Sequence, residues 1–159
     1  MMNETGFTSN GVASEFAPPQ HIAIRDMTLG DYDEVAALWQ NTPGVYFGEA
    51  DSRENLQKYW ARNPGLSLVA CDGEQLVGAV IGGHDGRRGT LHHLAIAATH
   101  QRRGIGKALV ACCLQKFRDA GINRFSVMVY SDNEDGKNFW KSLGWEEGTR
   151  VAVMWKSDD

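Results

Sequence analysis

No stretch of the sequence is long and apolar enough to span a bilayer, and its start is not built like an export signal. The first twenty residues, MMNETGFTSNGVASEFAPPQ, are polar and lack a basic start and an apolar centre. They read as a disordered arm, 1–20, closed by Pro18-Pro19, and a cytoplasmic location follows by default. Cysteine is scarce. Cys71, Cys112 and Cys113 give no disulfide framework and no zinc spacing, so they read as core-filling thiols, and no metal is expected. A basic surplus is missing too. The net charge is −4, which excludes the electrostatic footprint of a nucleic-acid binder. Neither an internal repeat nor a low-complexity tract is present.

What remains is an ordinary folded composition: 159 residues with 42% apolar content suit one domain, 21–159, around one core. HIAIRDM alternates as a strand, and TLGDYDEVAALWQ follows as a helix that Thr28 can cap. Residues 41–50 form a loop that carries Tyr46 and Phe47. A second helix starts at Asp51 or Ser52 and stops at Pro64-Gly65. Strands are predicted over 66–71 and 75–83 around Asp72-Gly73, and a further one over TLHHLAIAA. A helix from Gly104 to Ala120, a strand over INRFSVMVY, a helix over SDNEDGKNFWKSLG and a last strand over RVAVMWK complete the chain. This order predicts an α/β (α+β) fold: a mixed, mostly antiparallel sheet, one parallel crossover, and helices on both faces.

The stretch Gln101-Arg102-Arg103-Gly104-Ile105-Gly106 stands between a strand and a helix. Helix starts normally carry Ser, Thr, Asp or Asn caps and acidic first turns. This one has glycines and positive charge, so an anion is the expected partner of its N–H groups. Lys107 is followed by Ala108 and no glycine stands five residues before Gly106, so it is not a Walker loop. Leu109 stands where a dinucleotide fingerprint needs its third glycine. The pattern Q/R-x-x-G-x-G/A fits in full. Glycines admit a pyrophosphate close to the backbone, and Arg102, Arg103 and Lys107 attract it.

With LHHLAIAATHQRRGIGKALV and VYSDNEDGKNFWKSLGW in this order, the chain resembles the GNAT superfamily of N-acyltransferases from about Ile22 to Trp155. Within it, the chain is most similar to small bacterial proteins related to the ribosomal-protein N-terminal acetyltransferases. The resemblance implies acetyl-CoA as donor, held between two splayed strands. It implies backbone contacts to the pantetheine arm from Leu94, Ala95 and Ile96. Gln101, Arg102, Arg103, Gly104, Ile105, Gly106, Lys107 and Ala108 would hold the pyrophosphate, and Asn133 would reach the pantetheine or the thioester. The implied reaction is acetyl transfer to a primary amine, of a protein N-terminus, a lysine or a small molecule, by direct attack in a ternary complex. Nucleic acid and membrane are not expected partners, and a homodimer is allowed because family members are often dimers.

The family's usual acid, a tyrosine seven residues after the asparagine, is Trp140 here, and the glutamate of the related enzymes is Met128. Tyr130 is the candidate acid or a strand-end tyrosine. His92 and His93 are candidate bases or core histidines. Neighbours on a strand face opposite ways, so only one of them is expected to face the cleft. Tyr46, Phe47 and Glu49 are the candidate acceptor contacts, with Asp51 and Asp85 adding negative charge. The alternative is an acyl-CoA-binding regulatory or interaction module with lost or weak transfer. A nucleotide-binding protein using the same loop ranks below both.

Overall fold

Ile22 and Ile24, half-buried, alternate with exposed Ala23 and Arg25 and form β1 (Ile22–Asp26), the edge of a five-stranded sheet ordered β1-β2-β3-β4-β5. The other strands are β2 (Leu68–Asp72), β3 (Gln75–His84), β4 (Gly89–Ile96) and β5 (Phe125–Val127). The first three pairings are antiparallel, and β4 with β5 is parallel. This computed structural model describes residues 17–158, so most of the arm expected over 1–20 lies outside the described residues. The chain parts between Met128 and Val129 into two units.

In the first unit, α1 (Tyr32–Gln40) and α2 (Arg53–Arg62) cover one sheet face. Val35, Trp39 and Leu56 pack there with Val69, Ala79, Ile81 and Ala95, all nearly excluded from water. The other face carries α3 (Ile105–Asp119). Its Phe117 ring lies 3.1 Å from where a Cβ on Gly89 would stand, and Cys113 Sγ donates to the Leu66 carbonyl at 3.5 Å. A mixed sheet with helices on both faces is thus present in this unit.

Two strands differ from expectation. INRFSVMVY is a strand only at Phe125–Val127. Its first residue belongs to the end of α3: Ile122 N–H donates to Phe117 O at 2.9 Å and Gly121 N–H to Arg118 O at 2.9 Å, with Gly121 at φ +80°. That is a Schellman cap, which sends Ile122 into the core before the strand begins. RVAVMWK forms no strand. Val151, Val153, Met154 and Trp155 are all exposed, and alternation makes a strand only where a neighbouring edge takes its N–H and C=O groups.

The second unit contains α4 (Glu134–Ser142), capped by Asn133, whose Oδ1 accepts Gly136 N–H at 2.9 Å. Trp140 is buried and meets Trp145 edge-on at 4.8 Å between ring centres.

Candidate functional site

The loop before α3 has the conformation its glycine predicts. Gly104 is the N-cap at φ +85°, and Arg102 is also left-handed at φ +61°. The first N–H turned back into the helix is that of Ala108, donating to Gly104 O at 3.1 Å. Ala108 therefore has no N–H left for a phosphate, and its side chain and that of Ile105 are buried in the core. The donors left for an anion are the N–H groups from Gly104 to Lys107, with exposed Arg102, Arg103 and Lys107 around them. Gln101 Nε2 donates to Ile96 O at 3.1 Å, tying the loop to β4.

Sequence reasoning missed the anchor of this loop. His100, buried, places Nε2 2.9 Å from Asp72 Oδ2 and Nδ1 2.7 Å from Thr99 Oγ1. It fixes the residue before Gln101 to the end of β2.

β4 is open along its second half. Its pairing with β5 ends at Leu91 and Val127, so among the described residues His92 to Ile96 have no strand on that side. Ala95 pairs with Ala79, and Ala97 N–H donates to Val77 O at 2.8 Å. Strand alternation then turns the backbone groups of Leu94 and Ile96 to the open side and those of Ala95 to β3. Of the three expected backbone contacts, Ala95 is the one this register does not offer.

The same register contains a bulge. Ala79 pairs with Ala95 but Ile81 pairs with His92, so Val80 faces both His93 and Leu94. His93 sits at φ +52°, a left-handed conformation that costs a residue with a Cβ roughly 1–2 kcal/mol. The extra residue reverses the alternation and puts both histidines on the α1/α2 face, against the expectation that only one points there. The His92 ring meets Tyr59 edge-on at 6.4 Å, and the His93 ring meets Trp39 at 5.1 Å.

His93 is held from two sides. Trp39 Nε1 donates to its carbonyl at 2.8 Å, and Asp51 Oδ1 lies 2.7 Å from its Nε2. Asp51 is available because Ser52 caps α2, its Oγ accepting Asn55 N–H at 3.3 Å. Asp51 is buried, its side chain 10% exposed. Burial alone would raise its pKa, but the His93 hydrogen bond and the Gly48 N–H outweigh burial and hold it below the ordinary value. The pKa of His92 is lowered by burial and by the neighbouring His93, against the pull of Asp51. Tyr59 is pushed up to about 12, by burial first and then by Cys113.

The acceptor-side residues separate. Tyr46 is 63% exposed and lies across Gly48, its Oη 2.5 Å from where a Gly48 Cβ would stand. Phe47 packs toward the core, 6.4 Å from Trp39 between ring centres. Glu49 is exposed, and its carbonyl accepts Asn55 Nδ2 at 3.0 Å. Asp85 spends its carboxylate on its own turn, accepting Arg87 N–H at 2.8 Å and Arg88 N–H at 2.9 Å. Those bonds push its pKa down to about 2. In the second unit Tyr130 is 51% exposed, and its carbonyl accepts Asn133 N–H at 3.0 Å.

Four findings from known proteins bear on this arrangement. A sequence profile of the acetyltransferase (GNAT) family matches residues 32–145. An acetyltransferase of Sodalis glossinidius is 28% identical over 133 residues, 84% of this chain and 93% of that protein. The ribosomal-protein-S18-alanine N-acetyltransferase of Escherichia coli superposes with a TM-score of 0.68 at 18% identity, over 80% of this chain and 79% of that one. So does AAC(6')-Iy, solved with the bisubstrate analogue CoA-S-monomethyl-acetylneamine, with a TM-score of 0.70 at 18% identity, over 87% of this chain and 99% of that one.

Proposed function

The chain belongs to the GNAT acetyltransferase family, and from that premise we propose that it carries the acetyl group of acetyl-CoA to a primary amine by direct attack in a ternary complex, with His93 as general base. The observation that carries this reading is the position of His93. It is a half-buried imidazole on the bulge of β4, beside the half of that strand with an open edge.

The donor set fits the group. The N–H groups from Gly104 to Lys107, with Arg102, Arg103 and Lys107, would hold a pyrophosphate. The outward backbone of Leu94 and Ile96 would hold the pantetheine arm. By resemblance of sequence, Asn133 is assigned to the arm; the family's acid position is Trp140 here, and Tyr130, at the end of VMVY, is the candidate acid instead. Acetyl-CoA supplies the activated acyl group.

An ammonium of lysine type has a pKa near roughly 10.4, so the protein must take its proton before attack. Asp51 is ionised and only accepts, so His93 Nε2 carries hydrogen and Nδ1 is the nitrogen that receives the proton. A β4 N–H on the open edge stabilises the oxyanion. The C–N bond forms, the C–S bond breaks, Tyr130 protonates the leaving thiolate, and the proton shed by the attacking nitrogen as it becomes an amide restores the phenol. A covalent relay is disfavoured by the thiols themselves. Cys113 is pushed up to about 12 by burial, and burial also raises Cys71 and Cys112.

The test is release of CoA thiol from acetyl-CoA across free N-termini, lysine peptides, polyamines, amino acids and aminoglycosides, with wild type and His93→Gln. Acceptor-dependent release that falls on the order of 10²-fold or more in His93→Gln supports the reading. Release unchanged in His93→Gln removes the base. Binding of acetyl-CoA without release favours the alternative, an acyl-CoA-binding module, for which Trp140 at the expected tyrosine position already speaks.

A further inference from the structure

We propose that Asp51 is a positioning residue that joins the loop at 45–48 to His93, so that one carboxylate sets both the proton-bearing nitrogen of the base and the shape of the acceptor side. The inference rests on the reading of His93 as base. Its two oxygens are divided. Oδ1 meets His93 Nε2 at 2.7 Å, and Oδ2 accepts Gly48 N–H at 2.9 Å. The backbone of Asp51 is held as well, because Tyr32 Oη donates to its carbonyl at 3.0 Å. The loop that presents Tyr46 and the imidazole on β4 therefore meet through a single buried group.

An ionised carboxylate has no proton to give. Both neighbours must donate, and that fixes hydrogen on His93 Nε2 and the lone pair on Nδ1. Trp39 Nε1 keeps the His93 backbone from turning away. The titratable groups around the imidazole are Asp51 from the turn before α2 and His92 from β4, with Tyr59 of α2 reaching it through His92. Trp39 packs against the imidazole without charge, and Phe47 packs in turn against Trp39.

Asparagine at this position cannot serve both neighbours. Its single carbonyl oxygen accepts from either His93 or Gly48, and its NH2 then faces the other donor. One of two things must give way: His93 shifts hydrogen to Nδ1, or the loop leaves Gly48 unpaired.

The experiment is ring-nitrogen NMR of 15N-histidine-labelled full-length protein at neutral pH, for wild type and Asp51→Asn. Steady-state kinetics of Asp51→Asn, His93→Gln and the double variant accompany it. The expected wild-type signature is hydrogen on Nε2 of His93. In Asp51→Asn that signature is lost or mixed, and kcat falls about ten- to a hundredfold with KM for acetyl-CoA unchanged. The double variant is no slower than His93→Gln alone. A wild-type His93 with hydrogen on Nδ1 overturns the inference, and this measurement needs no variant to fold. Additive losses in the double variant, or an Asp51→Asn enzyme with unchanged signature and rate, overturn it as well. If His93→Gln keeps full rate while the Nε2 signature depends on Asp51, the functional reading falls and the positioning stands.

Discussion

Trp39 Nε1 donates to the carbonyl of His93 across 54 positions of sequence, at 2.8 Å. Trp39 is fully buried, so the bond is made where water cannot replace it. It secures the backbone of a left-handed residue at the bulge. Trp39→Phe keeps most of the ring volume but leaves that carbonyl unpaired and a small cavity behind. The expected loss of stability in urea unfolding is about 2–4 kcal/mol. The expected kcat falls with KM for acetyl-CoA little changed, because the anion loop does not touch this pair. A variant as stable as wild type removes the role given to the hydrogen bond.

Gly104 stands at φ +85° with nothing within 4 Å of where a Cβ would be. A side chain there meets no neighbour, and the folding cost is the left-handed backbone alone, about 1–2 kcal/mol. Gly104→Glu also places a negative charge beside the N–H groups meant for a pyrophosphate. Calorimetry should show acetyl-CoA binding lost while circular dichroism stays that of the wild type. Unchanged affinity would take the anion role away from QRRGIG.

How far this site was legible from sequence depends on whether each piece is local. The anion loop was legible because Gly104 and Gly106 mark a backbone requirement and the strand before and helix after are periodic. His93 was legible only as a candidate. Nothing in TLHHLAIAA marks the bulge, since neither glycine nor proline stands at the left-handed position. Strand alternation therefore gave the wrong face for one histidine. From sequence, Asp51 reads as a helix start or as negative charge on the acceptor side. That Ser52 takes the cap, and that Asp51 meets a residue 42 positions away, is settled by packing and not by spacing. His100 was missed for the same reason: its partner, Asp72, ends β2, 28 positions earlier. The short β5 was hidden because Ile122 suits a strand and a helix cap equally.

Gly83 shows how tightly α2 sits on the sheet beside the histidines. A Cβ at this position would fall 2.1 Å from Tyr59 Oη and 2.9 Å from Asn63 Nδ2. Gly83→Ala must move Tyr59, whose ring meets His92. The expected cost is about 1–3 kcal/mol, as for other overpacked sites. Gly83→Ala combined with Tyr59→Leu should recover part of it, because the clashing oxygen is then gone. Thermal unfolding of the single and double variants checks this, and strictly additive losses would mean the two positions do not meet.

Tyr130→Phe tests the acid assigned from sequence. Removing the hydroxyl should lower kcat and leave KM for acetyl-CoA near the wild-type value. The fall should be smaller with thioesters whose thiol is more acidic, since a better leaving group needs less protonation. A full-rate variant with acetyl-CoA transfers the proton to water.

Acid sensitivity should centre on Asp31. Arg25 grips its carboxylate with both arms, at 2.7 and 2.8 Å, and Thr28 N–H adds a third bond at 2.8 Å. The Arg25 hydrogen bond holds the Asp31 pKa below the usual carboxylate value, against the opposing effect of burial. A depressed folded pKa means that the stabilisation is fully present above the unfolded value, roughly 3.9, and is lost as pH falls through the folded one. Asp51, also depressed, acts in the same direction. Wild type should therefore hold its stability from pH 7 down to about 4 as far as these two groups are concerned, then lose it on further acidification. Asp31→Asn should start lower at pH 7 by about 1–2 kcal/mol, a figure kept small because the Arg25 side chain is 49% exposed. Its stability should then decline less steeply below pH 4 than that of the wild type, with Asp51 still contributing. Urea unfolding at pH 7, 5 and 3.5 compares the two proteins, and parallel pH profiles would show that the Arg25–Asp31 pair contributes nothing to acid sensitivity.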